Sequence, residues 1–126
     1  MPAQTPLDLN NKLIEVLNQG DVDAAVSLYE PDAVFSAEPG KSVTGHAAIR
    51  EVFEGFQGMK PRVTVESTEL VGQAGDIAVT NTSWTVTGTG ADGSAVELAG
   101  TGTEIMRRQP DDTWSYALDF MYGIPD

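Results

Sequence analysis

Cysteine is absent from this 126-residue chain, and histidine occurs once, at His46. The first absence removes disulfides and thiolate nucleophiles; the second removes any histidine-rich metal site, so no metal is expected. Basic residues are also few, 7 against 19 acidic ones, for a formal net charge of −12. They are scattered at Lys12, Lys41, Arg50, Lys60, Arg62, Arg107 and Arg108. Such a balance repels phosphate backbones and anionic lipid, so neither nucleic acid nor a membrane is an expected partner. No apolar run approaches membrane-spanning length, and the opening "MPAQTPLDLN" has neither a basic n-region nor an apolar h-region. The expectation is a cytoplasmic protein in which acid–base work falls to carboxylates, tyrosines or His46.

What is present is ordinary for a folded domain. Apolar residues make up 40% and charged residues 21%, and the length suits a single domain, 1–126, that holds a core and at most a small pocket. In "PLDLNNKLIEVLNQ" the apolar positions 7, 9, 13, 14, 16 and 17 trace a helical stripe, and Gly20 follows where left-handed backbone ends a helix. Asp21 then caps a second helix, "VDAAVSLYE", expected to run to Pro31. "AVFSAEPGKSVTG" reads as a strand entering a Pro39-Gly40 turn. Thr44 or Gly45 opens a third helix, "HAAIREVFEGFQG", with Ala48, Ile49, Val52, Phe53 and Phe56 inward.

After Pro61 the period changes from helix to strand. Four Thr- and Val-rich stretches alternate and are separated by "AGD", "ADGS" and "PDD" turns, which predicts four hairpin-linked strands. Glycines in Thr87–Gly90 and Gly100–Gly102 predict that two of them curve or bulge. Helices followed by a meander indicate an α+β fold, a cone of curved antiparallel sheet with three N-terminal helices over one face and a pocket between.

The most unusual position is Asp119, inside the apolar "WSYALDFMYG". Burying an unpaired carboxylate costs several kcal/mol, so it needs a compensating partner or a chemical role. Strict alternation places Trp114, Tyr116, Leu118 and Phe120 on one face and Ser115, Ala117, Asp119 and Met121 on the other. Two readings follow. Either the bulky set is core and Asp119 faces solvent, or the bulky set is an outer face covered by a second copy of the chain and Asp119 faces the cavity.

"TGTEIMRRQ" repeats the arrangement, with Glu104 between Gly102 and Met106, and Trp84 could supply an apolar wall. Should Glu104, Asp119 and Trp84 converge, two carboxyl groups in apolar surroundings would have their proton affinities pushed up and apart, separating an acid from a base. Phe35, Phe53, Phe56, Met106 and Met121 are apolar lining on either reading. Tyr29, at the expected end of the second helix, is core or a hydrogen-bond donor to a ligand. Glu38 is a solvated turn residue or a base at the cavity mouth, and His46 a surface residue near a helix start.

Taken in order, "NQGDVDAAVSLYEPDAVF", "GHAAIREVF" and the closing "GTEIMRR…DDTWSYALDF" resemble the nuclear transport factor 2-like superfamily, specifically its SnoaL-like and ketosteroid isomerase-like members. The resemblance spans nearly the whole chain. It implies a cone of bent sheet closed by three helices, a homodimer formed through the sheet, and an internal ligand cavity. In ketosteroid isomerases a helix-one tyrosine and a protonated late-strand aspartic acid hold the substrate oxygen. Glu104 falls at or near that acid, Glu38 near the general base, and Leu13 stands where the helix would offer tyrosine. Asp119 resembles the last-strand aspartate of SnoaL-like cyclases and of limonene epoxide hydrolase-like enzymes, which also use an arginine between two aspartates. Two functions are consistent with this. One is a small cofactor-independent isomerase, cyclase or hydrolase using Asp119 with Glu104 or Glu38 on an apolar, oxygen-bearing molecule; the other is a non-catalytic dimeric ligand-binding or association domain.

Overall fold

The computed structural model describes residues 3–38 and 40–124. Helix α1 spans Pro6–Gln19. Its start is fixed by Thr5, whose hydroxyl accepts from the Asp8 N–H at 3.1 Å, and its end by Gly20 at φ 75, a value that glycine adopts without strain. Asp21 caps α2, Val22–Ser27, by accepting from the Ala24 N–H at 3.0 Å. This helix stops three residues earlier than its pattern predicts. Tyr29 opens β1, Tyr29–Glu38, because its fully buried ring is held among Phe35, Phe53 and Tyr116, and that tertiary packing outweighs the local helical pattern. Pro31, expected to stop a helix, instead lies in the stretch between Tyr29 and Val34 where β1 loses regular pairing and no ladder donor is needed.

β2, Lys41–Thr44, pairs back on β1, so the single expected strand is a hairpin. Pro39 of the expected turn lies outside the described residues, while Gly40 has φ 76. Gly45 then precedes α3, His46–Gln57, which turns Ile49 and Phe53 into the core. The meander follows as β3 (Arg62–Ala74), β4 (Ile77–Thr89), β5 (Ala95–Arg108) and β6 (Trp114–Phe120). Strand order is β2-β1-β6-β5-β4-β3, antiparallel except for the parallel β1–β6 pair. Three helices and this curled, unclosed six-stranded sheet make the α+β cone.

Two irregularities differ from the sequence expectation. The β4–β5 ladder runs without a shift from Ile77–Arg107 to Thr89–Ala95, so the glycine-rich passages hold no bulge in this ladder. Their glycines permit close approach. A Cβ on Gly100 would stand 2.9 Å from the Trp84 ring, and one on Gly88 would stand 2.8 Å from the Met59 carbonyl oxygen. The consequential bulge is in β6. Tyr116 pairs with Met106 and Leu118 with Ile105, which leaves Ala117 as one extra residue.

That extra residue reverses the alternation. Trp114 and Tyr116 point inward before it, Ala117 and Asp119 point inward after it, and only Leu118 and Phe120 face out. The expected outer aromatic face of four bulky residues is therefore split, because strict period 2 does not survive an inserted residue. Its first half, with Trp114 4% and Tyr116 0% exposed, belongs to the core.

Candidate functional site

Between the helices and the concave face of the sheet lies a cavity of about 200 Å³. Every aromatic residue of the chain except Trp114 and Phe120 touches it, and its polar groups collect at one end: Asn10, Thr82, Glu104, Tyr116, Asp119 and Tyr29. Such a chamber, apolar with a few convergent polar groups, is the usual form of a small-molecule site. Among the described residues no Lys, Arg or His lines it.

The strand register brings the two carboxylates together. Glu104 and Asp119 are cross-strand partners in β5 and β6, Glu104 is also opposite Thr80 in β4, and Asp119 is opposite Phe35 in β1. Both are buried, at 6% and 4% exposure. Asp119 is held by Tyr29, whose hydroxyl donates to Oδ2 at 2.5 Å, the length of a hydroxyl-to-carboxylate bond. Glu104 Oε1 accepts from the hydroxyls of Thr80 and Thr82, each at 2.7 Å, and from the Asn10 amide at 3.3 Å. Asn10 also accepts from the Tyr116 hydroxyl at 2.7 Å and donates to Thr80 at 2.9 Å, so it fastens α1 to three strands of the sheet.

Each carboxyl thus has one oxygen tied to protein groups and one, Oδ1 of Asp119 and Oε2 of Glu104, without a protein hydrogen bond. Among the described residues no polar side-chain atom sealed from its surroundings lacks a partner. Both oxygens are therefore accessible, and both residues line the cavity.

Of the residues singled out from sequence, Asp119, Glu104, Tyr29, Phe35, Phe53, Phe56, Trp84 and Met121 line this cavity. Two do not. Met106 is fully buried, but it packs in the core opposite Tyr116 and is not part of the cavity wall. Glu38 is exposed at the end of β1 and pairs with Lys41 at 3.3 Å, a solvated contact worth little, so it is not at the cavity mouth. The neighbouring arginines also face outward, Arg107 to Glu30 at 2.9 Å and Arg108 to Asp76 at 2.6 Å, and neither lies between the carboxylates. His46 hydrogen-bonds through Nε2 to the Tyr29 carbonyl oxygen at 2.7 Å, which steadies the start of β1.

Asn10 and Tyr116 escaped the sequence reading. The signal for Asn10 was present: a polar residue next to Leu9 and three before Leu13, inside the apolar stripe of α1. Tyr116 had no such signal, since its inward orientation depends on the bulge.

Residues 11–116 match the family model of the SnoaL-like domain. The chain belongs to the SnoaL-like family. None of the curated proteins matches it. Among solved structures it is similar to a protein of Novosphingobium aromaticivorans provisionally named an aromatic ring hydroxylase, with 27% identity, TM-score 0.82, and 92% of this chain and 84% of that one covered. It is similar in fold to a ketosteroid isomerase-like protein from Erwinia carotovora atroseptica (18% identity, TM-score 0.75, 88% and 87% covered). A nuclear transport factor 2-like protein with a cystatin-like fold, also from Novosphingobium aromaticivorans, matches at 16% identity and TM-score 0.75 over 89% and 75%.

In this SnoaL-like chamber, electrostatics separate the two carboxyls. Burial, and then the negative charge of Glu104, push Asp119 from its ordinary 3.8 up to about 7, while the Tyr29 hydrogen bond works in the opposite direction. Burial also raises Glu104, but its three donors pull it back. Both carboxyls thus hold a proton more tightly than free ones, and hydrogen bonding offsets the effect of burial with three donors at Glu104 against one at Asp119. Burial keeps Tyr29 and Tyr116 well above the usual phenol range, as uncharged donors.

A pH dependence of stability follows. Between about pH 4 and 7 the folded chain keeps a proton on Asp119 that the unfolded chain has released, so this group makes stability fall as pH rises through that window. A tenfold gain in proton affinity on folding corresponds to about 1.4 kcal/mol. Urea unfolding at pH 5 and pH 8 should show the wild type losing a few kcal/mol more than Asp119→Asn over the same interval. Parallel profiles for the two proteins would contradict a raised Asp119.

Proposed function

We propose that this SnoaL-like protein is a small cofactor-independent enzyme that transfers a proton on a small, largely apolar, oxygen-bearing molecule held in the aromatic chamber. The observation that carries the reading is a carboxyl group poised near pH 7 inside a cavity, with one oxygen fixed by Tyr29 and the other open to a ligand. A general acid–base works best when its proton affinity lies near the working pH. Asp119 takes or gives the proton through Oδ1, and Tyr29 holds the carboxyl in place. Burial keeps the Asp119 proton affinity high, and the neighbouring Glu104 carboxyl adds to it. Leu13 lines the cavity on α1, so no hydroxyl reaches the ligand from that position. This favours proton transfer by a single carboxyl over the paired-donor chemistry of ketosteroid isomerases. The likeness to solved structures supports a small-molecule site and leaves the reaction to experiment.

The bicyclic ketone tetralone serves as an apolar, oxygen-bearing probe, and exchange of its α-protons with D2O is read by proton NMR. The wild type should accelerate exchange. Asp119→Asn should lower the rate by roughly a hundred- to ten-thousand-fold, and Glu38→Gln should leave it unchanged. Tetralone binding without acceleration would overturn the enzymatic reading in favour of a ligand-binding or association domain.

A homodimer through the outer sheet face belongs to the same proposal. Val34, Leu118, Ile105 and Val79 are successive register partners across four strands on the face opposite the carboxylates, and all are half-buried in the single chain, as is Phe120. An apolar row of this kind calls for a covering partner. Light scattering at micromolar concentration should return twice the 13.4 kDa chain mass, and Ile105→Lys should shift it toward monomer. A monomeric wild type would contradict the interface.

A further inference from the structure

Glu104 is a buried carboxyl group that none of the ion pairs of the described residues includes. The ion pairs among the described residues involve Lys12, Lys41, Arg50, Arg107 and Arg108, each joined to a carboxylate other than Glu104 or Asp119. Lys60 and Arg62 are exposed and absent from the cavity wall. A buried carboxylate is costly unless paired, and three hydrogen bonds to one of its oxygens offset that only in part.

Hydrogen-bond accounting points the same way. Nearly every side-chain donor on the wall is already used within the protein: the Asn10 amide on Thr80 and Glu104, the Thr82 hydroxyl on Glu104, the Tyr29 hydroxyl on Asp119, the Tyr116 hydroxyl on Asn10, and Trp84 Nε1 on the Met121 carbonyl oxygen at 2.8 Å. Only the Tyr122 hydroxyl, at the 39%-exposed rim, is uncommitted. The unused groups deep in the chamber are acceptors, Glu104 Oε2 and Asp119 Oδ1. A ligand that brings only acceptors finds little to meet; one that brings N–H donors finds two oxygens.

We infer that Glu104 is the counter-ion for an ammonium group of the ligand, so that the molecule taken by this cavity is a protonated amine on an aromatic or similarly flat apolar body. This rests on the reading of the chamber as the ligand site. Aromatic faces attract cations as well as flat rings, and here Trp84, Tyr116 and Tyr29 share the wall with the carboxylates. The net charge of −12 adds a long-range field that concentrates cations and repels carboxylates and phosphates. In the proton-transfer reaction, the ammonium group sits at Glu104 while the reacting oxygen-bearing end lies at Asp119.

Three probes with the same ring body separate the possibilities: naphthylmethylamine, naphthylmethanol and naphthoic acid, titrated calorimetrically into the full chain at pH 7. A charge-assisted hydrogen bond predicts that the amine binds about tenfold or more tightly than the alcohol, and the acid should not bind. Glu104→Gln, nearly the same shape, should erase the preference for the amine over the alcohol. Equal or tighter binding of the alcohol in the wild type, or an amine preference that survives Glu104→Gln, overturns the inference. Should that variant not fold, the wild-type ratio decides alone. Alcohol binding without amine preference, alongside accelerated tetralone exchange, would sink the ammonium proposal and leave the proton-transfer reading standing. Failure of all three probes together with failure of tetralone exchange would sink both.

Discussion

Two carboxyl groups placed side by side in one oily chamber, with no basic side chain on its wall, form the constraint around which this protein is arranged. Unrelieved, such a pair would cost more than a small domain can spare, since a whole domain is stable by only about 5–15 kcal/mol. Relief comes unevenly. Glu104 receives hydroxyls from two positions of β4 and an amide from α1, whereas Asp119 receives a single phenol from the start of β1. The inequality sets the two apart: burial raises the proton affinity of both, and hydrogen bonding pulls Glu104 back with more donors than it does Asp119.

The fold supplies that inequality through a few local decisions. Ala117, the extra residue of β6, turns Asp119 toward the chamber while leaving Tyr116 inward too, so that a carboxyl and a phenol from one short strand share the same interior. Early termination of α2 at Ser27 frees Tyr29 to begin a strand and aim its hydroxyl at Asp119. Asn10 joins α1 to β4, β5 and β6 through Thr80, Glu104 and Tyr116. The helices are thereby tied to the sheet by the same bonds that set the proton affinities, which couples the closure of the cone to the chemistry of its contents.

Much of this was readable from residue order. The stripe of α1, the caps at Asp21 and Gly20, the change of period after Pro61 and the four-strand meander follow from local rules, and Asp119 and Glu104 stand out as acidic residues inside otherwise apolar or small-residue strands. What could not be read were features decided by tertiary contact. Tyr29 looks like the end of a helix until its burial among Phe35, Phe53 and Tyr116 is known. The bulge at Ala117 has no sequence signature, since alanine is neither glycine nor a turn former, and it moved Tyr116 and Trp114 from the expected outer face into the core. Glu38 held the position the resemblance assigns to a base, yet the hairpin carries it to the surface beside Lys41. Asn10 was legible and passed over, a polar residue on an apolar stripe.

The raised proton affinity of the two buried acids is most directly tested by a carbon-13 NMR titration that follows the side-chain carboxyls of Asp119 and Glu104 in one sample. Asp119 is expected to titrate near 7, with Glu104 also displaced upward from its ordinary value. Both groups titrating at ordinary carboxylate values of about 4 would contradict it.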